Sequence, residues 1–227
     1  MQSLDEGYRA ASGLKERRHY SIFYSSIQRS ALLILGWNPG GNPATWDESQ
    51  LASNSFYENG EHEYVDCHYK LALAMRGFLM ASLGLSTPQE IRSIPKSNLI
   101  FRRSTGQGSL SLSARAALDE CRPFVQELVS RVSPSHIILE GMTTLDEFGA
   151  SYCSEVSRDV DGASVVTPNG ARKARIYRAD SAVVRCLDRR VTLVGVGHPS
   201  KFAGRREWKE VVQRAKGLLS ECRDSLR

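Results

Sequence analysis

The chain has 227 residues, 41% of them apolar, and a formal net charge of +5. This suits one α/β domain with a full core, or such a domain with an added subdomain. No apolar run approaches the ~20 residues of a membrane helix, so no membrane partner is expected. The first twenty residues lack the apolar core of a secretory signal, which makes the cytoplasm the expected location. The five cysteines stand more than 30 residues apart with no CxxC pair. They read as free buried thiols, and no zinc, iron–sulfur or other cofactor is expected. From Arg172 onward there are 15 Lys/Arg against 6 Asp/Glu, a net of +9, which leaves −4 for the remainder. Such a quarter reads as a polyanion-binding face or as an ordinary solvated basic surface.

In chain order, residues 1–29 are polar and basic and predict an N-terminal helical extension to a domain over 30–227. ALLILG (31–36) is a short apolar run ending in Gly, the pattern of a buried strand. A long loop follows, punctuated by Gly, Pro and Asn, with acids towards its end. Leu71, Ala74, Met75, Phe78 and Leu79 share one helical face, and Gly84 stops the run. Thr87-Pro88-Gln89-Glu90 has the form of a capped helix start. SNLIF (97–101) predicts a second strand that opens into a polar loop. Ser113 caps a helical stretch reaching Val132, within which Pro123 is expected to begin a second helix. SHIILEG (135–141) is a third strand, and Thr144 is placed to cap the helix after it. Residues 155–184, with Pro-Asn-Gly at 168–170, suggest an inserted β-hairpin. VTLVGVG (191–197) is the last strand, and a helix from about Arg205 closes the chain.

Four short apolar strands separated by helices predict a three-layer α/β/α sandwich around a mainly parallel four-stranded sheet. In such sheets ligands bind beyond the carboxyl ends of the strands. Two of those ends carry unusual chemistry. Gly36-Trp37-Asn38-Pro39-Gly40 follows the first strand, and His198-Pro199-Ser200 follows the last, about 160 residues on. Between them lie Ser97-Asn98-Leu99-Ile100-Phe101-Arg102-Arg103-Ser104 and Cys121-Arg122-Pro123-Phe124.

In this order the motifs resemble the uracil-DNA glycosylase superfamily, over roughly residues 30–215 and as islands. The GxNPG form is closest to the thymine/mismatch-specific and single-strand-selective branches. The resemblance implies that fold and a monofunctional glycosylase acting on DNA as a monomer, in base-excision repair. Asn38 and His198 would be catalytic. Trp37 and Gly40 would contact the base and Asn98 would read its edge. Pro95-Lys96-Ser97 depart from the apolar lead-in that the family usually has before this Asn. The loop after the last motif serves the family as a wedge into the base stack. Here Phe202 would be the wedge, with Ser200, Lys201, Arg205 and Arg206 on phosphates and Arg102 and Arg103 also facing DNA.

Elementary chemistry agrees with those roles. Releasing a pyrimidine builds positive charge on the sugar and negative charge on the base. A histidine N–H can stabilise the base anion. An asparagine carbonyl can orient water but cannot deprotonate it, so turnover should be slower than in the branch carrying Asp at that position. The strictly uracil-specific branch has Tyr where this chain has Gly40. Gly40 and Gly41 therefore leave room for a 5-substituted pyrimidine as well as uracil, with Trp46, Phe56 or Tyr57 as stacking aromatics. Glu58, Glu61, Glu63 and Asp66 read either as a solvated acidic loop or as acceptors for hydroxyls on a polar substituent. The second reading would suit a sugar-bearing phage-type cytosine and a phage-defence role. A catalytically idle nucleic-acid-binding module on the same fold is the alternative function.

Overall fold

The computed structural model describes residues 2–45, 56, 59–166, 173–198, 201, 207–223 and 226. Strands β1 (Leu32–Gly36), β2 (Lys96–Asn98), β3 (His136–Glu140), β4 (Cys153–Val166), β5 (Lys173–Val184) and β6 (Arg189–Val196) form one sheet in the order β2-β1-β3-β6-β5-β4. The first four in that order are parallel neighbours. β4 and β5 join antiparallel at the β6 edge. The expected hairpin therefore extends the central sheet, which has six strands where four were predicted.

Period-two alternation divides the apolar residues between the two faces of the sheet. Leu33, Leu35, Ile137, Leu139 and Leu193 face one core, together with residues of helices α1 (Gln2–Ser12), α4 (Ala114–Val132) and α5 (Met142–Tyr152). Leu32, Ile34, Ile138, Val194 and Val196 face the other, with α3 (Lys70–Leu83) and α6 (Trp208–Arg223). Helices on both faces make a three-layer α/β sandwich. Among the described residues no helix is long and apolar enough to cross a membrane.

Local signals behave as their chemistry dictates, with four instructive exceptions. Gly84 ends α3 in the left-handed conformation (φ 63°), and the Ser113 side chain accepts the Ala116 amide at the start of α4. The Thr87–Glu90 capping box is present but opens a 3-10 helix, Pro88–Ser93. Pro123 lies inside a single continuous α4 instead of starting a new helix. α5 begins at Met142 after Gly141, so Thr144 does not cap it; its hydroxyl bonds the Glu140 carbonyl. β2 stops at Asn98, so Leu99–Phe101 are buried without belonging to a strand.

The N-terminal segment is less of an appendage than its composition suggests. Leu4, Tyr8 and Tyr20 are fully buried. Ser21 N donates to the Phe101 carbonyl at 2.8 Å, and Ser97 Oγ donates to the Ile22 carbonyl at 2.6 Å. Residues 20–25 thus run beside β2 and brace it.

Gly195 on β6 meets α5 closely. A Cβ there would overlap the Leu145 side chain and stand 3.0 Å from Met142 Cε. A Cβ on Gly149, within α5, would meet only Val156 Cγ2 at 3.5 Å. Gly195→Ala should therefore cost about 1–3 kcal/mol through overpacking, whereas Gly149→Ala should gain about 0.5–1 kcal/mol from helix propensity. Urea unfolding of the two variants checks the opposite signs; equal shifts would contradict this packing.

Candidate active site

The carboxyl ends of β1, β2, β3 and β6 open into one cavity of about 910 Å³. Trp37, Asn38, Gly40, Asn98, His198 and Lys201 all line it. Residues from the two ends of the chain thus share one hollow.

Asn38 is held by one end. Its Nδ2 donates to Ser104 Oγ at 2.8 Å, to the Pro39 carbonyl at 2.9 Å and, more weakly, to the Arg102 carbonyl at 3.4 Å. No donor among the described residues bonds its Oδ1, which leaves the carbonyl for a ligand or water. An aspartate would set an oxygen against two backbone carbonyls, so the amide suits its own surroundings as well as any chemistry. The loop around it is tied down by Ser104 N to the Pro39 carbonyl at 3.0 Å and Arg103 Nη1 to the Gly40 carbonyl at 2.6 Å.

Asn98 is 3% exposed, yet nothing among the described residues bonds its side-chain amide. Buried amides are rarely left unpaired. The register explains its position. Asn98 pairs with Gly36, whose missing side chain leaves a gap between β2 and β3. A Cβ on Gly36 would overlap Asn98 Oδ1 and stand 2.7 Å from Glu140 Oε2. Two oxygens from flanking strands therefore converge over one glycine.

His198 is exposed at the rim. Partial burial lowers its titration below the ordinary histidine value, opposed by Glu140 and reinforced by Lys201. Near neutral pH the imidazole is uncharged and carries one N–H.

The motifs gave no warning of a buried charged cluster in the same wall. Lys96 is 2% exposed. Its ammonium stands 2.7 Å from Glu63 Oε2, 3.9 Å from Glu140 Oε2 and 4.2 Å from the Tyr24 ring centroid. Tyr64 donates its hydroxyl to Glu140 Oε1, and Tyr69 donates to Glu63 Oε1. Burial raises the titration of Glu63, with Lys96 opposing. Burial works against the charge on Lys96, but Glu63 and Glu140 outweigh it and hold the amine above its ordinary value. Burial and the two carboxylates also keep Tyr64 protonated.

A short helix, α2 (Glu63–Asp66 in sequence, between β1 and α3), delivers Glu63 and Tyr64. His62 Nδ1 accepts the Tyr64 amide at 3.0 Å, and its other ring nitrogen meets the Ile94 carbonyl at 3.0 Å. Burial pushes this histidine down to about 3, so it stays neutral. Arg76 closes the far end on the carbonyls of Tyr64, Val65 and Cys67. Asp66 is held by Arg92 at 2.6 Å. The end of the acidic loop is thus locked in place, with Glu63 in the cavity, where a solvated surface was the other expectation.

Phe56 lines the cavity and stacks on Tyr24 at 5.8 Å between centroids. Arg102 and Arg103, expected to face DNA, are held by partners within the protein, Arg103 in the lining of the cavity. Arg102 forks onto Glu120, with Nη2–Oε2 at 2.6 Å, and Arg103 is 6% exposed and bonds backbone carbonyls. Three arginines of the basic C-terminal quarter are likewise paired within the protein. Arg178 binds Asp146 and Asp180, Arg189 binds the Ser133 and Pro134 carbonyls, and Arg214 binds Asp161 and Glu210. Trp46, Tyr57, Glu58, Ser200, Phe202, Arg205 and Arg206 lie outside the described residues.

No protein-family model matches the chain, and no curated protein matches it.

The Lys96 cluster makes a strong stability prediction. Lys96→Met strands two buried carboxylates and should cost about 3–5 kcal/mol, part of which Glu63→Gln in the same chain should restore. Without the ammonium Glu63 titrates higher still in the folded state. The deficit should therefore be smallest near about pH 5 and widen towards about pH 8. Denaturant titrations at both pH values check this, and a pH-independent deficit would contradict it.

Proposed function

We propose that the protein is a monofunctional DNA glycosylase of the uracil-DNA glycosylase type. It hydrolyses the N-glycosidic bond of a flipped-out pyrimidine and leaves an abasic site. One observation carries the reading: the Asn38 carbonyl and the His198 imidazole line the same strand-end cavity, with the unpaired amide of Asn98 buried in its wall.

The chemistry follows from those three groups. A base inside a duplex is out of reach, so it must be extruded into the cavity. Asn98 meets its hydrogen-bonding edge. As the C1′–N1 bond breaks, its electron pair moves onto the base, and the His198 N–H stabilises the oxygen that takes up that charge. Asn38 Oδ1 accepts a hydrogen bond from a water and aims it at C1′. The water's oxygen bonds to C1′ as its proton passes to solvent. Asn38 positions this water without taking its proton, which suits a sugar that already carries positive charge.

The cavity admits more than a bare pyrimidine. Its volume lies near the top of the ~300–1,000 Å³ range typical of ligand pockets. A Cβ on Gly40 would meet nothing within 4 Å among the described residues, which leaves room there for a 5-substituent. Lys201 lines the cavity and would meet a phosphate. Phe202, Arg205 and Arg206 complete the proposed DNA-facing loop on sequence grounds.

The test is a panel of labelled single-stranded and duplex oligonucleotides carrying uracil, G-mispaired thymine, 5-hydroxymethylcytosine and its glucosylated form, with alkali to reveal abasic sites. The wild type should give breakage with at least one substrate. Asn38→Ala and His198→Ala should each slow it by roughly a hundredfold or more. Breakage with no substrate, or breakage unchanged in both variants, would overturn the reading.

The pH dependence gives a second check. Because His198 titrates below its ordinary value, it is neutral from roughly pH 7 to 8.5. The ratio of wild-type to His198→Ala rates should be flat across that range. A ratio that falls as pH rises through neutrality would mean a cationic donor instead.

A further inference from the structure

Glu140 has a part to play that the catalytic scheme does not use. It ends β3, lines the cavity and is 7% exposed. Its Oε1 is taken by the Tyr64 hydroxyl. Its Oε2 has no hydrogen-bond donor among the described residues, and Lys96 stands 3.9 Å away. Across the gap left by Gly36 it faces Asn98 Oδ1, which is also without a donor. Two buried acceptors therefore converge on one region beside the residue proposed to read the base. Both residues line the cavity, so a ligand group with two hydrogens to donate would meet both oxygens.

Resting on the glycosylase reading, we propose that Glu140 is a specificity-determining residue that, with Asn98, selects a base bearing a 4-amino group. The substrate is then a cytosine derivative, and uracil and thymine are disfavoured. An exocyclic amine offers two hydrogens, one for Asn98 Oδ1 and one for Glu140 Oε2. The Asn98 amide nitrogen is left to donate to the N3 lone pair, which only the 4-amino ring presents. Acceptance of a cytosine amine by a carboxylate is an established pairing. With the Asn98 amide in this orientation, a 4-oxo base would instead point its O4 at two oxygens and its N3–H at a donor. The mismatch excludes such a base more strongly than a missing contact would. A carboxylate beside the base also opposes the negative charge that builds during release, and Lys96 offsets it from behind.

The experiment uses matched base pairs that differ only at position 4. Oligonucleotides carry cytosine or uracil, 5-hydroxymethylcytosine or 5-hydroxymethyluracil, and the glucosylated forms of the last two. In every pair that is cleaved, the 4-amino member should react roughly tenfold to a hundredfold faster. Glu140→Gln, whose amide can turn its nitrogen towards O4, should reduce that ratio at least tenfold. Faster or equal cleavage of the 4-oxo member overturns the proposal and leaves the glycosylase reading intact. An unchanged ratio in a folded Glu140→Gln protein also overturns it. The wild-type ratio decides the matter alone if that variant does not fold. Calorimetry with free 5-hydroxymethylcytosine and 5-hydroxymethyluracil separates the two layers. Preferential binding of the cytosine without any cleavage supports the selection while removing the glycosylase. Neither cleavage nor preferential binding removes both.

Discussion

Lys96 stands in register with Ile34, on the sheet face that also carries Leu32 and Ile138, where an aliphatic residue would ordinarily continue the core. Taking an ammonium out of water costs several kcal/mol even after relaxation. The fold tolerates it because three separate elements bring compensation to the same place. Glu63 comes from α2, Glu140 from the end of β3, and the Tyr24 ring from the segment that braces β2. None of the three is adjacent to Lys96 in sequence. Misplacing any one leaves charge buried without its counterpart, so the amine ties the loop, the sheet and the N-terminal segment to one arrangement.

The same requirement creates the cavity. Glu63, Glu140 and Lys96 must keep polar partners, so aliphatic side chains cannot close over them as they do over Ile34 and Ile138. Gly36 adds to this by withholding a side chain at the centre of the site. Its role is steric: with a Cβ there, Asn98 and Glu140 would have to part. A polar hollow at the carboxyl ends of parallel strands is where open α/β sheets bind ligands in general. Here the hollow is maintained by specific charges as well as by topology.

The sequence discloses the parallel frame well, because continuous apolar runs such as Leu32–Leu35 and Ile137–Leu139 admit little else once helices separate them. It discloses the Asn38 and His198 positions because both directly follow such runs. It hides whatever depends on contacts between distant segments. Lys96 registered only as an irregularity before Asn98, and nothing local says that Glu63 and Glu140 will meet it. The one available signal was a lysine directly before Ser97 and Asn98 at a strand end, a place where an unpaired charge is expensive. Arg102 and Arg103 show the opposite failure. Two adjacent arginines in a polar loop look solvent-facing, but Glu120 and the backbone carbonyls of Arg18 and Gly40 hold them within the protein. The β4–β5 hairpin was legible as a hairpin. That it would pair with β6 was not, since the edge of a sheet is a tertiary property.

The polar side chains of the cavity differ in how completely they are satisfied, and the difference separates support from work. Glu63 has both oxygens engaged, one by Tyr69 and one by Lys96, so it is a strut. Among the described residues Asn38 is hydrogen-bonded through its nitrogen alone and Glu140 through one oxygen alone, each presenting its other atom without a hydrogen-bond donor. A side chain anchored at one end cannot turn away when a ligand arrives, and it loses little freedom on binding it. That is the economy of a preorganised polar site, where the cost of orienting dipoles is met during folding. Asn98 is the exception, buried yet unbonded at either end of its amide. Its Oδ1 and Glu140 Oε2 meet on either side of Gly36. Among the described residues neither end of its amide has a hydrogen-bond partner, so the group proposed to read the base has both ends to offer a ligand.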